Sequence, residues 1–210
     1  GVKNIKLRNY DVSEIPDIAL RIAGYGYMLE NNKTLNRMRL RNMSDGMIPV
    51  NGLLWHNTVR GYIPFDTFYN EHPKWYSNPN PALNQMCYTA HGDESEYNKL
   101  INRLSDVIVD HLEKNPLKSV ITITQEDHGG WCKCDACTEM KNKYGSDSAA
   151  VLKLCNDTAA MVESKWMAKY GKERENGFEI LFFAYGDTIN APNNVDGTMV
   201  CAKHVSVFFA

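Results

Sequence analysis

Three thiols crowd into six residues, Cys132-Lys133-Cys134-Asp135-Ala136-Cys137. Thiolates at a C-x-C-x-x-C spacing bring their sulfurs together and hold Zn²⁺ tetrahedrally once a fourth ligand is supplied. His128, four residues upstream of Cys132, is the nearest candidate in the chain. A disulfide between two of the three in an exported protein, or plain reduced thiols, are the competing fates. Cys87, Cys155 and Cys201 stand apart in or beside apolar stretches, where a free thiol packs as a small hydrophobe. Nothing in the sequence depresses one thiol pKa, which argues against a catalytic cysteine.

A second set of chemistry-bearing residues sits where apolar, strand-like runs end: Trp55-His56, Gln125-Glu126-Asp127-His128 and Tyr185-Gly186-Asp187. Carboxylates, imidazoles, an amide and aromatic rings are the groups that hold and cleave a polar, ring-shaped substrate such as a sugar. Glycoside cleavage takes one carboxyl to protonate the leaving oxygen and a second carboxylate as base or nucleophile. Glu126 and Asp127 are neighbours, and on an extended segment neighbours point to opposite faces. At most one of them should therefore enter a pocket. Trp55, Trp75, Trp131 and Tyr185 supply rings for stacking on sugars, although aromatics also fill cores.

These residues belong to a 210-residue chain of 23.9 kDa, a size for one substantial core. Its 23 basic and 25 acidic side chains give a formal net charge of −2. No basic field exists to hold a phosphate backbone, which excludes nucleic acid as an expected partner. No stretch approaches the ~18 apolar residues of a membrane span. The opening Gly1-Val2-Lys3 lacks an initiator Met and the closing Val205-Ser206-Val207-Phe208-Phe209-Ala210 reads as a strand cut in mid-course. A single domain over 1–210, or a fragment of one from a larger protein, is the expectation.

The elements that must position the reactive residues follow from periodicity. Strand-like runs cover residues 18–23 and 48–55, with a helix over 29–43 between them. Residues 57–93 carry Gly, Pro, Asn and aromatics without a sustained period, an excursion of a length that is usually functional or disordered. Leu100, Ile101, Leu104, Val107, Ile108 and Leu112 mark an amphipathic helix from Ser95 to about Lys114, stopped by Asn115-Pro116. Ser119 to Thr124 is β-branched at most positions and reads as a strand. A polar, cysteine-bearing loop from Gln125 to about Ser146 leads to a second long helix ending near Tyr170. Phe178–Ala184 is a further buried strand. The alternation predicts an α/β fold with a parallel sheet, because parallel neighbours need crossover connections. Periodicity leaves an open sheet and a barrel both standing. The connections after strands are the long, chemically rich ones.

Trp55-His56-Asn57-Thr58, Ile63-Pro64, Phe68-Tyr69, Glu71-His72-Pro73-Lys74-Trp75-Tyr76, Thr124-Gln125-Glu126-Asp127, the three clustered cysteines, Gly145-Ser146 with Asn156, and Ala184-Tyr185 occur in an order and spacing that resembles the domain of unknown function 4838 family over roughly residues 14–210. These are glycoside-hydrolase-like proteins of carbohydrate-degrading bacteria. The resemblance implies a (β/α)₈ TIM barrel, a parent protein exported to the periplasm, cell surface or medium, and action on a polysaccharide or glycoconjugate. Eight βα units take ~250 residues and only about five or six strand candidates are visible, so the expected barrel is incomplete. Family members tend to carry Asn before the Asp at the Gln125 strand end. Glu126 departs from that, which makes Asp127 the family-type functional position.

The leading expectation is a bacterial, secreted, glycoside-hydrolase-like protein with Asp127 or Glu126 as general acid/base. His56, Gln125 and Tyr185 would fix sugar hydroxyls, and Trp55, Trp75 or Trp131 would give stacking platforms. No cofactor is expected for catalysis, with a structural zinc at Cys132, Cys134 and Cys137. The alternatives are a non-catalytic carbohydrate-binding barrel that lost its second carboxylate, and a zinc-dependent hydrolase, which would need an open metal position facing the pocket.

Overall fold

The computed structural model describes residues 32–40, 47–53 and 55–209. The chain divides into two compact units, residues 1–45 and 46–210. In the first, the described residues form one short helix, α1 (Asn32–Arg37), within the stretch predicted as a longer helix. The strand expected over 18–23 lies outside the described residues.

The described residues of the second unit contain helices α2 (Val59–Tyr62), α3 (Phe65–Phe68), α4 (Glu94–Lys114), α5 (Asp135–Tyr144) and α6 (Ser148–Tyr170), and strands β1 (Val120–Thr122), β2 (Glu179–Ala184) and β3 (Val205–Phe209). The strands form one sheet in the order β1-β2-β3, parallel throughout, with Ile121 opposite Ile180 and Phe182 opposite Val207. Beyond β1, Met47 makes a single parallel bridge to Val120, and Ile48 N donates to Val120 O at 2.7 Å. Where a strand was predicted over 48–55, the described residues give this one bond at Ile48 and a tight turn closed by the antiparallel Val50–Leu53 bridge.

The sheet is open, and the barrel expectation is corrected accordingly. Closing a (β/α)₈ barrel takes eight parallel strands, and the described residues supply three parallel strands and one parallel bridge to them. The cause lies in how the long connections are used. Residues 57–93 fold into two single-turn helices and three 3₁₀ turns rather than a βα unit. The return from β2 to β3 passes through one 3₁₀ turn, Gly186–Thr188, where a regular βα alternation would place a crossover helix.

The two long helices carry the core. The Asp93 side chain caps α4 by accepting from Glu96 N at 3.0 Å, satisfying a donor that the first turn leaves free. Glu94 and Glu96 lie in the first turn and His111 and Lys114 in the last, each sign matching the helix dipole. The predicted stripe Leu100, Ile101, Leu104, Val107, Ile108 and Leu112 is buried as a set. Against it packs α6, whose Val151, Leu154, Cys155, Ala159 and Val162 are buried. Ile121 and Ile123 with Ile180 and Phe182 join the same core from one sheet face. The alternate residues Thr122, Thr124 and Phe183 turn to the opposite face, as a period of two requires.

Arg174 locks the lower edge. Its guanidinium donates to Asn115 O (2.9 Å), Lys118 O (2.7 Å) and Gly177 O (2.5 Å), tying the α4–β1 turn to the α6–β2 turn. Both strands thus start from one fixed point, and their carboxyl ends project together at the other edge.

Candidate functional site

The carboxyl edge is organised first by Thr58. Fully buried, its hydroxyl donates to Thr122 O at 2.9 Å and accepts from Thr124 N at 2.9 Å. Thr58 thereby completes the hydrogen bonding of β1 where no further strand does, and fixes Asn57 and Arg60 beside the strand tip. On the other side Gln125, almost fully buried, donates through Nε2 to Tyr185 O (3.1 Å) and Thr188 Oγ1 (3.0 Å). Trp55 packs on Phe183 with ring centroids 5.8 Å apart. The three strand tips singled out in the sequence are therefore adjacent, with Gln125 bracing them rather than facing solvent.

Glu126 and Asp127 separate as alternation predicts. Asp127 is exposed, whereas the Glu126 side chain is 13% exposed and enters a cleft of about 110 Å³ with Arg60, Tyr76, Asn84, Gln85 and His128. One Glu126 oxygen stands 3.6 Å from Arg60 Nε; the other, Oε1, is buried without a hydrogen-bond partner. Burial pushes the carboxyl pKa above its usual range, the Arg60 charge pulls it back in part, and the Asp127 charge adds to the rise. Asn57 Oδ1 and Gln125 Oε1 at the same strand tip are likewise buried and unpartnered. Buried acceptors without donors cost free energy, and a ligand rich in hydroxyls is the kind of molecule that supplies such donors.

The backbone of the Glu126 loop is held by a residue the sequence reading did not single out. Gln85 is 1% exposed. Its Oε1 accepts from Glu126 N (3.0 Å), and its Nε2 donates to Glu126 O (2.8 Å) and His128 O (2.9 Å). The two loops meet again at Gly130, where Ser77 Oγ donates to Gly130 O at 2.6 Å. A Cβ at Gly130 would fall 2.1 Å from Leu83 O, so only glycine permits the approach. Tyr88 and Trp131 stack across the same seam with centroids 5.6 Å apart.

At the far end of this seam lie the thiols. Cys87, Cys132, Cys134 and Cys137 have sulfurs all within 4.8 Å of one another. Cys87 Sγ is 3.9 Å from Cys134 Sγ and 3.7 Å from Cys137 Sγ. A zinc–sulfur bond of ~2.3 Å gives a tetrahedron with sulfur–sulfur edges of ~3.8 Å, so these separations fit one metal ion, and all four cysteines are free thiols. Thr89 Oγ1 stands 3.1 Å from Cys137 Sγ, and His91 N donates to Cys87 Sγ at 3.2 Å. The surrounding thiols of Cys132 and Cys137 pull the Cys87 thiol far below its ordinary range, against its burial. Cys132, followed by Cys87 and by burial, pushes the Cys137 thiol far up. A second cation-free thiolate at such distances is unfavourable, and a divalent ion removes that repulsion. The cluster could hold a metal. The fourth side chain of the cluster is Cys87, not His128, whose Nδ1 instead accepts from Gly130 N at 3.2 Å.

The remaining expected site residues distribute unevenly. Trp75 is buried, stacked on His72 and donating from Nε1 to Glu96 O at 3.0 Å, so it serves the core and offers no sugar platform. Trp131 is half-buried on the seam, Tyr185 is 44% exposed at the β2 tip, and His56 is exposed beside Trp55. Trp55, His56 and Tyr185 adjoin the strand tip without lining the Glu126 cleft. Arg60, Gln85 and Tyr88 were absent from the expected set. Cys87 carried a readable signal, since three clustered thiols need a fourth ligand and only three other cysteines exist.

Over residues 2–210 the sequence matches the family described as Domain of unknown function (DUF4838). The chain belongs to this family. The match bears out the resemblance carried by the strand-tip and cysteine motifs; it leaves the glycoside-hydrolase-like description of the family as an expectation. No curated protein and no solved structure matches the chain. Among the described residues no helix is long and apolar enough to cross a membrane.

Proposed function

We propose that this DUF4838 protein is carbohydrate-active, of the glycoside-hydrolase type, and takes its sugar at the carboxyl edge of the sheet with Glu126 as general acid. The observation that carries the reading is the Glu126 carboxyl itself: largely buried, raised in pKa, and holding an unpartnered oxygen in a cleft. Ligands of open parallel α/β sheets bind outside the carboxyl ends of the strands. A carboxyl whose pKa burial raises is the kind of group that hands a proton to a leaving glycosidic oxygen. Asp127, the family-type position, is exposed and serves this role less well.

A second reading, carbohydrate binding without cleavage, is favoured by one fact: among the described residues lining the cleft, Glu126 is the one carboxylate. Incubation of the full-length protein and its Glu126→Gln and Asp127→Asn variants with a glycan panel separates the two. Cleavage lost in Glu126→Gln with binding retained supports the acid role, binding without cleavage by the parent protein supports the second reading, and cleavage undiminished in Glu126→Gln removes the assignment.

The metal held by the four thiols is, in this reading, a structural zinc. Four sulfurs complete a tetrahedral shell and leave no open position for substrate or water, so the zinc-dependent hydrolase is not favoured. The protein would act outside the cytoplasm, where its polymeric substrates lie.

A further inference from the structure

We infer that the four-thiol centre sets the Glu126 cleft, with Gln85 as the positioning residue that transmits it; this rests on the reading of the cluster as a zinc site. The inference comes from the layout of two segments, 77–91 and 125–137, which meet along a single seam. Neither contributes a strand to the sheet, and the contacts between them recur along the second segment from Glu126 to Cys137. Gln85 meets Glu126 and His128, Ser77 meets Gly130, Tyr88 meets Trp131, and Cys87 meets Cys134 and Cys137. The carboxylate stands at one end and the thiols at the other.

Cys87 is two residues from Gln85 and adjacent to Tyr88, so whatever fixes its sulfur also fixes the approach of Gln85 to the Glu126 backbone. On the opposite segment, Cys132 follows Trp131 directly. His91 adds a lateral tie: Nε2 lies 2.9 Å from Tyr76 O, so it carries the proton, and it stands 3.8 Å from Cys132 Sγ. Segments outside the main sheet open at lower free-energy cost than the core strands; the 85–87 run is paired with Trp75–Ser77 by an antiparallel bridge at Tyr76–Met86, with Ser77 N donating to Gln85 O and Cys87 N to Trp75 O, and not with β1–β3. A metal joining residue 87 to residues 132–137 is a cross-link, closing a long loop. When the metal leaves, the bonds that join the two segments leave with it, and the seam loses its anchor. Glu126 then loses the Gln85 clamp while β1, held by β2 and Thr58, stays in place.

Two amides report this separately. Glu126 N donates to Gln85 Oε1, across the seam, and Ile123 N donates to Leu181 O, within the sheet. Amide hydrogen exchange is measured on the full-length protein loaded with Zn²⁺, on the same protein stripped by a chelator, and on Cys134→Ser, with zinc content determined for each. Tryptic cleavage after the exposed Lys133, between two of the thiols, is followed in parallel. The expected result is one zinc per chain, Glu126 exchange faster by more than 10-fold and Lys133 cleavage accelerated after stripping and in Cys134→Ser, with Ile123 unchanged. Zinc bound at one per chain with Glu126 exchange insensitive to its removal overturns the coupling and leaves the zinc reading standing. Loss of Ile123 protection together with Glu126 overturns it in favour of a global effect, and a protein that takes up no zinc overturns both.

Discussion

Replacing Gln85 removes three hydrogen bonds from one side chain. Gln85→Met keeps the length and shape of the residue and deletes the acceptor for Glu126 N and the donors to Glu126 O and His128 O. Each neutral hydrogen bond contributes roughly 1 kcal/mol net. The position is 1% exposed, so water cannot simply replace the lost partners in the variant, although the neighbouring cleft lets the backbone groups recover part of their hydration. The expected destabilisation is about 2–3 kcal/mol. For a chain of this size that lowers Tm by about 4–12 °C. Urea unfolding at neutral pH measures it as a lower midpoint at unchanged slope. Gln85→Glu should be worse than Gln85→Met, because it keeps one acceptor but aims a carboxylate at two carbonyl oxygens. A Gln85→Met variant within about 0.5 kcal/mol of the parent would refute the clamp.

Glu126 carries a pH signature. Its folded-state pKa is raised, so the unfolded chain releases that proton first, and the stability its protonated form contributes is complete below the ordinary pKa of 4.5 and lost as pH rises through the folded value. Glu126→Gln should match the parent in acid and exceed it in stability as pH rises beyond 4.5, as read by denaturant midpoints across pH; a constant offset would show that burial does not set this carboxyl. Arg174→Met leaves the carbonyls of two turns without their donor and should cost about 2–4 kcal/mol. Arg174→Lys should rescue little of it, since one ammonium cannot reproduce the planar fork. Thr58→Val, nearly the same shape, strips Thr122 O and Thr124 N of their shared hydroxyl and should cost about 1–3 kcal/mol, with exchange at Thr124 N raised more than at the β2 amides.

The parts of the fold that the sequence announced are those set by local periodicity. The stripe from Leu100 to Leu112 repeats one side-chain spacing long enough to define a face, Phe178–Ala184 is a short apolar run buried on both sides, and both form the elements expected of them. Strand closure is not local. The barrel was carried by resemblance and by counting apolar runs, and the run over 48–55 shows how such counting fails: its described residues make one hydrogen bond to Val120 and a tight turn closed by a Val50–Leu53 bridge rather than a paired strand. Helix α5 was hidden because Asp135–Tyr144 has a weak apolar face, with Tyr144 its one buried side chain.

At the site, alternation along the extended segment that follows β1 separated Glu126 from Asp127, but which of them points inward depends on Thr58, bonded to Thr124 from 66 residues away, and on Gln85, 41 residues from Glu126 in the chain. Long-range partners of this kind leave no periodic trace. Cys87 looked like a core residue because it is one by burial, and the same apolar setting conceals its place in a thiol cluster whose other members lie 47 and 50 positions downstream.

X-ray absorption at the zinc edge on the purified full-length protein bears most directly on the four-thiol centre. The separations among Cys87, Cys132, Cys134 and Cys137 predict one zinc per chain with a shell of four sulfurs at ~2.3 Å. A shell containing nitrogen or oxygen, a Cys87→Ser variant with an unchanged four-sulfur shell, or a protein whose cysteines are paired as disulfides with no metal bound would contradict it.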